Sequence, residues 1–145
     1  RVLYGGASGI SEGLFCGYSA NPTTGSVTAP GGLVGYAATR AICQAACASP
    51  TAHLCDLTEL TRTISLGPMT VPPGATGIPG MNGIAWYSAS PIFTPSPGPG
   101  SACRGFTDNS ASEWGGMWSV GSAGATAHPT LVNCDYSIAH LTCCD

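Results

Sequence analysis

Gly31-Gly32-Leu33-Val34-Gly35-Tyr36-Ala37-Ala38, then Cys43-Gln44-Ala45-Ala46, then His53-Leu54-Cys55-Asp56-Leu57-Thr58-Glu59, is the stretch that decides the fold. From Ala37 to Ala48 the spacing is helical: Tyr36, Cys43 and Cys47 fall on one face, with Ile42 and Ala46 beside them. Pro50 follows the stop. Asp56-Leu57-Thr58-Glu59 has the form of a capping box, with Asp56 as N-cap and Glu59 at the third helical position. That helix is predicted to run to about Ser65 and to end at Gly67-Pro68. Capping is therefore the plain role of Asp56 and Glu59, ahead of any catalytic one.

Outward from this pair of helices the chain changes character. Residues 1–35 are rich in Gly with short apolar pieces, read as strands and turns. Residues 67–83 are a Gly/Pro loop, and Gly83 to Ser88 reads as a buried aromatic strand. Residues 89–102 are too dense in Pro for a central strand. Cys103 to Thr107, Gly116 to Val120, Thr130 to Cys134 and Ile138 to Cys144 are short strand candidates. Early helices and late short strands, joined by long loops, predict one α+β domain over residues 1–145. The Ser/Thr/Pro segments Asn21–Pro30 and Ser88–Ser101 are expected as exposed loops suited to O-glycans.

Eight cysteines in 145 residues predict four disulfides and an oxidising compartment. A metal site would want clustered thiolates, and there is no CxxC; Cys143 and Cys144 are adjacent. Charge is scarce: four Arg, no Lys, seven acidic residues, 8% of the chain against the usual quarter or so. A net charge of −3 gives nucleic acid and anionic membranes no electrostatic footing. Ser and Thr together number 30. Such a surface is either covered by other subunits, solubilised by something else such as O-linked glycans, or simply neutral. The longest apolar runs are too short to span a membrane. Arg1-Val2-Leu3-Tyr4 reads as a start left after a leader has been removed.

The order of these pieces resembles the C-type lectin-like fold, in particular its endostatin-type branch and related bacterial secreted modules. The Gly31–Ala46 stretch resembles the approach to that fold's first helix. Ala52-His53-Leu54-Cys55 with Glu59-Leu60 resembles the start of its second, and Trp86 its central-strand Trp. Cys103, Trp118, Cys134 and a Cys some ten residues on resemble its C-terminal half. The likeness covers residues 31–145, with residues 1–30 an N-terminal strand and loop segment. It implies pairing of Cys43 with Cys143 and of Cys103 with Cys134. Among the remaining four, adjacent strand residues face opposite ways, so Cys144 needs a different partner from Cys143. Cys16–Cys144 and Cys47–Cys55 are the favoured pairs, out of 105 connectivities open to eight cysteines. The calcium and sugar motifs of that family, Glu-Pro-Asn or Gln-Pro-Asp and Trp-Asn-Asp, are absent, so the resemblance does not imply calcium-dependent sugar binding.

Asp108, Asn109 and Glu113 place three side-chain oxygens within six residues, either half of a hard-cation site or a solvated Asx-type turn. The turn is the favoured reading, and no metal or cofactor is expected. Trp114 offers a face to a sugar or a subunit, whereas Trp118 is expected in the core. Met81, Ile92 and Phe93, with Val71 and Ile78, put apolar side chains in neutral, Pro-stiffened loops. His53, His128 and His140 have no G-x-S-x-G elbow to serve, and a full disulfide set leaves no thiol nucleophile. The expected function is a secreted, non-enzymatic module that builds or decorates an extracellular structure by contact with copies of itself or another extracellular protein. The alternatives are a calcium-independent glycan-binding lectin or adhesin and, after it, a small secreted hydrolase.

Overall fold

A computed structural model describes residues 13–72, 83–88, 102–121 and 127–145. Its strands are β1 (Phe15–Tyr18), β2 (Thr28–Ala29), β3 (Leu33–Val34), β4 (His53–Leu54), β5 (Ile84–Trp86), β6 (Trp114–Val120), β7 (Ala127–Asn133) and β8 (His140–Cys144). Its long helices are α1 (Gly35–Cys47) and α2 (Leu57–Leu66). The class is α+β.

The main sheet runs β1-β8-β5-β6-β7, with β4 also pairing to β8. All pairs are antiparallel except β5 with β8. Period-two alternation divides the core between the two faces. Ile84, Trp86, Met117, Leu141 and Cys143 join Ala38 and Cys43 of α1 in one cluster. Tyr87, Trp118, Val120 and Cys144 join Leu60 of α2 in the other. The sheet is thus sandwiched, with α1 on one face and α2 on the opposite one.

Both expected helices are present, and α1 begins two residues earlier than its apolar spacing predicts because Gly35 opens the turn. The capping box at Asp56 and Glu59 is formed in both directions. Two expectations are corrected. Cys103–Thr107 is not a strand: Ala102–Phe106 is a helical segment with positive φ at all five residues. The segment Asn21–Pro30 is not uniformly exposed, since Val27 is in the core and Thr28–Ala29 pairs with Leu33–Val34. Gly31 and Gly32, at φ of 89° and 76°, make the hairpin turn between them.

Four disulfides staple the layers, and no cysteine is free. Cys43–Cys143 ties α1 to β8, and Cys103–Cys134 ties the left-handed segment to the end of β7; these are the two pairs the resemblance implied. The other two are Cys16–Cys47 and Cys55–Cys144, in place of the expected Cys16–Cys144 and Cys47–Cys55. The reason is layering. Cys144 points to the α2 face, where β4 delivers Cys55 beside it. Cys16 sits in an irregularity of the β1–β8 ladder and meets the last turn of α1. Around Cys103 the backbone closes tightly: a Cβ on Gly115 would lie 2.7 Å from its Sγ and 2.8 Å from the Trp86 ring, and one on Gly25 would also strike that Sγ.

Candidate functional site

The oxygen cluster at residues 108–113 comes together, but around a cation the chain itself supplies. Glu113 is buried, and its Oε1 accepts from Arg104 Nε at 3.0 Å and lies 2.9 Å from Nη2. Two donors of one planar guanidinium converge on one carboxylate oxygen, a strong charge-assisted geometry. Asp108 Oδ1 accepts from the Ser110 N–H at 2.7 Å, the Asx-type turn that the sequence suggests, and Oδ2 lies 3.6 Å from Arg104. The Ser110 hydrogen bonds come first in holding the Asp108 carboxyl below its usual range, with Arg104 adding to them. Asn109 is exposed at the tip of this turn. Among the described residues no three His, Cys, Asp or Glu side chains converge as a metal would require.

A second polar cluster joins α2 to β4 and to the chain just before β1. The buried Glu59 carboxylate accepts from the Asp56 N–H at 3.0 Å, the Gly13 N–H at 3.1 Å and His53 Nε2 at 2.8 Å. His53 Nδ1 faces the Thr51 carbonyl at 3.0 Å. The hydrogen bond to Glu59 drives the His53 pKa up to about 9, against a smaller opposing effect of burial. Asp145, held by the Thr51 hydroxyl, has its carboxyl lowered. His140 is buried in β8 with Nδ1 2.6 Å from the Ser19 carbonyl, so the two histidines occupy separate structural networks.

The aromatic residues divide. Trp86 and Trp118 are core: Trp86 Nε1 donates to the Thr23 carbonyl at 2.9 Å, and Trp118 Nε1 lies 3.2 Å from Met69 Sδ. Trp114 opens β6 and is half-buried. Of the apolar loop residues singled out in the sequence, Val71 packs on the α2-side core and is corrected to a packing role. Met81, Ile92 and Phe93 lie outside the described residues, as does Ile78.

What the sequence reading missed is the outer surface of the α1 layer. Between Gly13 and Cys55 the chain carries a single formal charge, Arg40, besides His53. That stretch builds β1, the β2–β3 hairpin, α1 and β4. On the hairpin and the first turn of α1, Leu33 is 37% exposed, Val34 57% and Tyr36 43%. These residues were legible as apolar, but Gly31–Ala38 reads as the lead into a helix, and the pairing of Leu33–Val34 with Thr28–Ala29 that leaves Leu33 and Val34 exposed is not visible in that pattern. Beside the hairpin lies a cavity of about 680 Å³, walled by Thr28 and Ala29 of β2, Ala41, Ile42 and Ala45 of α1, and residues 19–23. Among the described residues no charged side chain lines it.

No family model matches the chain, and neither a curated protein nor a solved structure matches it.

Proposed function

We propose that this protein is a secreted, non-enzymatic module of C-type lectin-like architecture that builds or decorates an extracellular structure through contacts between copies of itself. The observation that carries the reading is the α1 layer: from Gly13 to Cys55 Arg40 is the one charge besides His53, which is spent on Glu59, and Leu33, Val34 and Tyr36 are exposed there. Soluble monomers usually intersperse charge among exposed apolar side chains, and a neutral surface with large apolar groups lacks that repulsion. Four disulfides suit an oxidising compartment, and no described helix is long and apolar enough to cross a membrane. The lectin-like part of the reading is supported by the first-helix cysteine bonded to the last strand, the Cys103–Cys134 pair and the buried Trp86 on a central strand.

Val34 provides the test. It is the N-cap of α1, extended at φ −135° and ψ 158°, with no side-chain cap bond. Asp is a preferred N-cap, so Val34→Asp adds a helix cap and a charge to the patch at once. Sedimentation of the native protein is expected to show association that grows with concentration. V34D is expected to weaken that association while its melting temperature holds or rises. A wild-type chain that stays monomeric over a wide concentration range, with no assemblies visible by electron microscopy of source material, refutes the proposal.

A further inference from the structure

The cavity beside α1 has one reactive group on its rim. Three described hydroxyl-bearing residues line it: Ser19, Thr23 and Thr28. Ser19 Oγ donates to the Asn21 carbonyl at 2.8 Å and accepts from the Leu141 N–H at 2.9 Å. Thr23 Oγ1 donates to the Thr24 carbonyl at 3.2 Å. The Thr28 side chain is exposed and has no such partner among the described residues, and it stands on a two-residue strand two positions before Pro30. Exposed Thr near Pro in a Ser/Thr/Pro-rich segment is the setting of O-linked sugar.

From these observations we infer that Thr28 is an O-glycosylation site and that the first sugar of its glycan lies in the adjoining cavity. In the attachment step the Thr28 oxygen attacks the anomeric carbon of a phosphate-activated sugar supplied by a glycosyltransferase. The new C–O bond forms as the phosphate ester leaves with the bonding electrons, and the hydroxyl proton passes to the transferase's base. The lining selects a neutral sugar, because a charged one would be desolvated there with no counter-charge. Alanine methyls and Ile42 on α1 meet the C–H face of a pyranose ring, and the exposed Asn21 amide can bond its hydroxyls. At about 680 Å³ the cavity has the size of small-ligand sites. Tethering removes most of the entropic cost of occupying so open a site, since the second contact becomes intramolecular. The inference is independent of self-association: a bare Thr28 leaves the assembly reading standing, and a monomeric chain leaves the glycan standing.

The test uses native protein from its source, with peptide mass spectrometry under fragmentation that preserves O-linkages. A neutral-sugar mass increment on Thr28 is expected. In the producing host Thr28→Ser should keep the increment and Thr28→Val should lose it; Val suits an exposed strand position, so the fold is retained. Amide exchange across Ala41–Ala46 reads the seating, with exchange expected to be several-fold slower in the glycosylated protein than in T28V. An unmodified Thr28 in native material overturns the inference. A modified Thr28 with the same α1 exchange in both proteins overturns it equally, because the sugar then stands free of the cavity.

Discussion

The Glu59 carboxylate is fully buried, and the donors that hold it come from three parts of the chain: the Asp56 and Gly13 N–H groups and His53 Nε2. A buried carboxylate is tolerable only with its charge compensated, and His53 compensates it best as an imidazolium. Both ring nitrogens then donate, one to Glu59 and one to the Thr51 carbonyl. The folded pKa of about 9 lies above the unfolded value of 6.5, so the folded state holds the proton more tightly. That stability is complete below about pH 6.5 and is lost as pH rises through 9. The half-exposed ring is screened by solvent, which leaves on the order of 1–2 kcal/mol. The melting temperature should therefore fall between pH 7 and pH 10. His53→Asn, which keeps a donor but cannot titrate, should flatten that limb, and an alkaline fall unchanged in H53N would assign it to other groups. The capping half of this site was legible, because a capping box is a four-residue pattern. The His53 half was not: the bond to Glu59 exists only because β4 docks on β8 and turns the ring toward α2.

Helix α1 reaches its length with weak ends. Its N-cap Val34 makes no side-chain cap bond, and its C-cap Ala48 adopts left-handed φ of 52° and ψ of 42° while its N–H bonds the Gln44 carbonyl. An L-residue with a Cβ pays about 1 kcal/mol or more for that conformation, and glycine does not. Ala48 is exposed, so Ala48→Gly removes strain without opening a cavity. A gain of about 1 kcal/mol in denaturant unfolding is expected for A48G, whereas a loss would mean that the helix frays before reaching Ala48. Elements fixed by local pattern, α1, α2 and the strand around Trp86, were all legible. The segment Ala102–Phe106 was not. Nothing in Ala-Cys-Arg-Gly-Phe apart from Gly105 favours positive φ, and residues of this kind suit a strand as well. The conformation is held from outside, by the bond to Cys134, by the Thr107 and Asp108 N–H groups on the Cys103 carbonyl, and by the Arg104–Glu113 pair. The Cys134 bond spans 31 residues, which no local sequence window contains.

Across the molecule, the disulfides record which layers touch. Neighbouring Cys143 and Cys144 point to opposite faces of β8, as strand geometry requires, and the sequence argument for separate partners rests on that alternation. The expected Cys16–Cys144 pair does not form, because β1 and β4 both pair with β8 and only the three-dimensional register decides which cysteine lies beneath which face. The four bonds also differ in access. Cys43, Cys143, Cys55, Cys144, Cys103 and Cys134 are all buried, whereas Cys16 is exposed and Cys47 half-buried. Thiol–disulfide exchange needs a thiolate to reach a sulfur, so an exposed pair reacts from the native state while buried pairs wait for local or global opening. Under limiting reductant, with free thiols trapped by alkylation, the first labelled species should carry tags on Cys16 and Cys47 alone. Loop closure assigns that bond, which spans 31 residues, roughly 3–4 kcal/mol and the 100-residue Cys43–Cys143 bond roughly 5. The singly reduced chain should therefore remain folded, with β8 still tied to both helical layers through Cys43 and Cys55. Early labelling of Cys43 or Cys143 would contradict this arrangement, since those sulfurs lie between α1 and the sheet and cannot be reached unless the two separate.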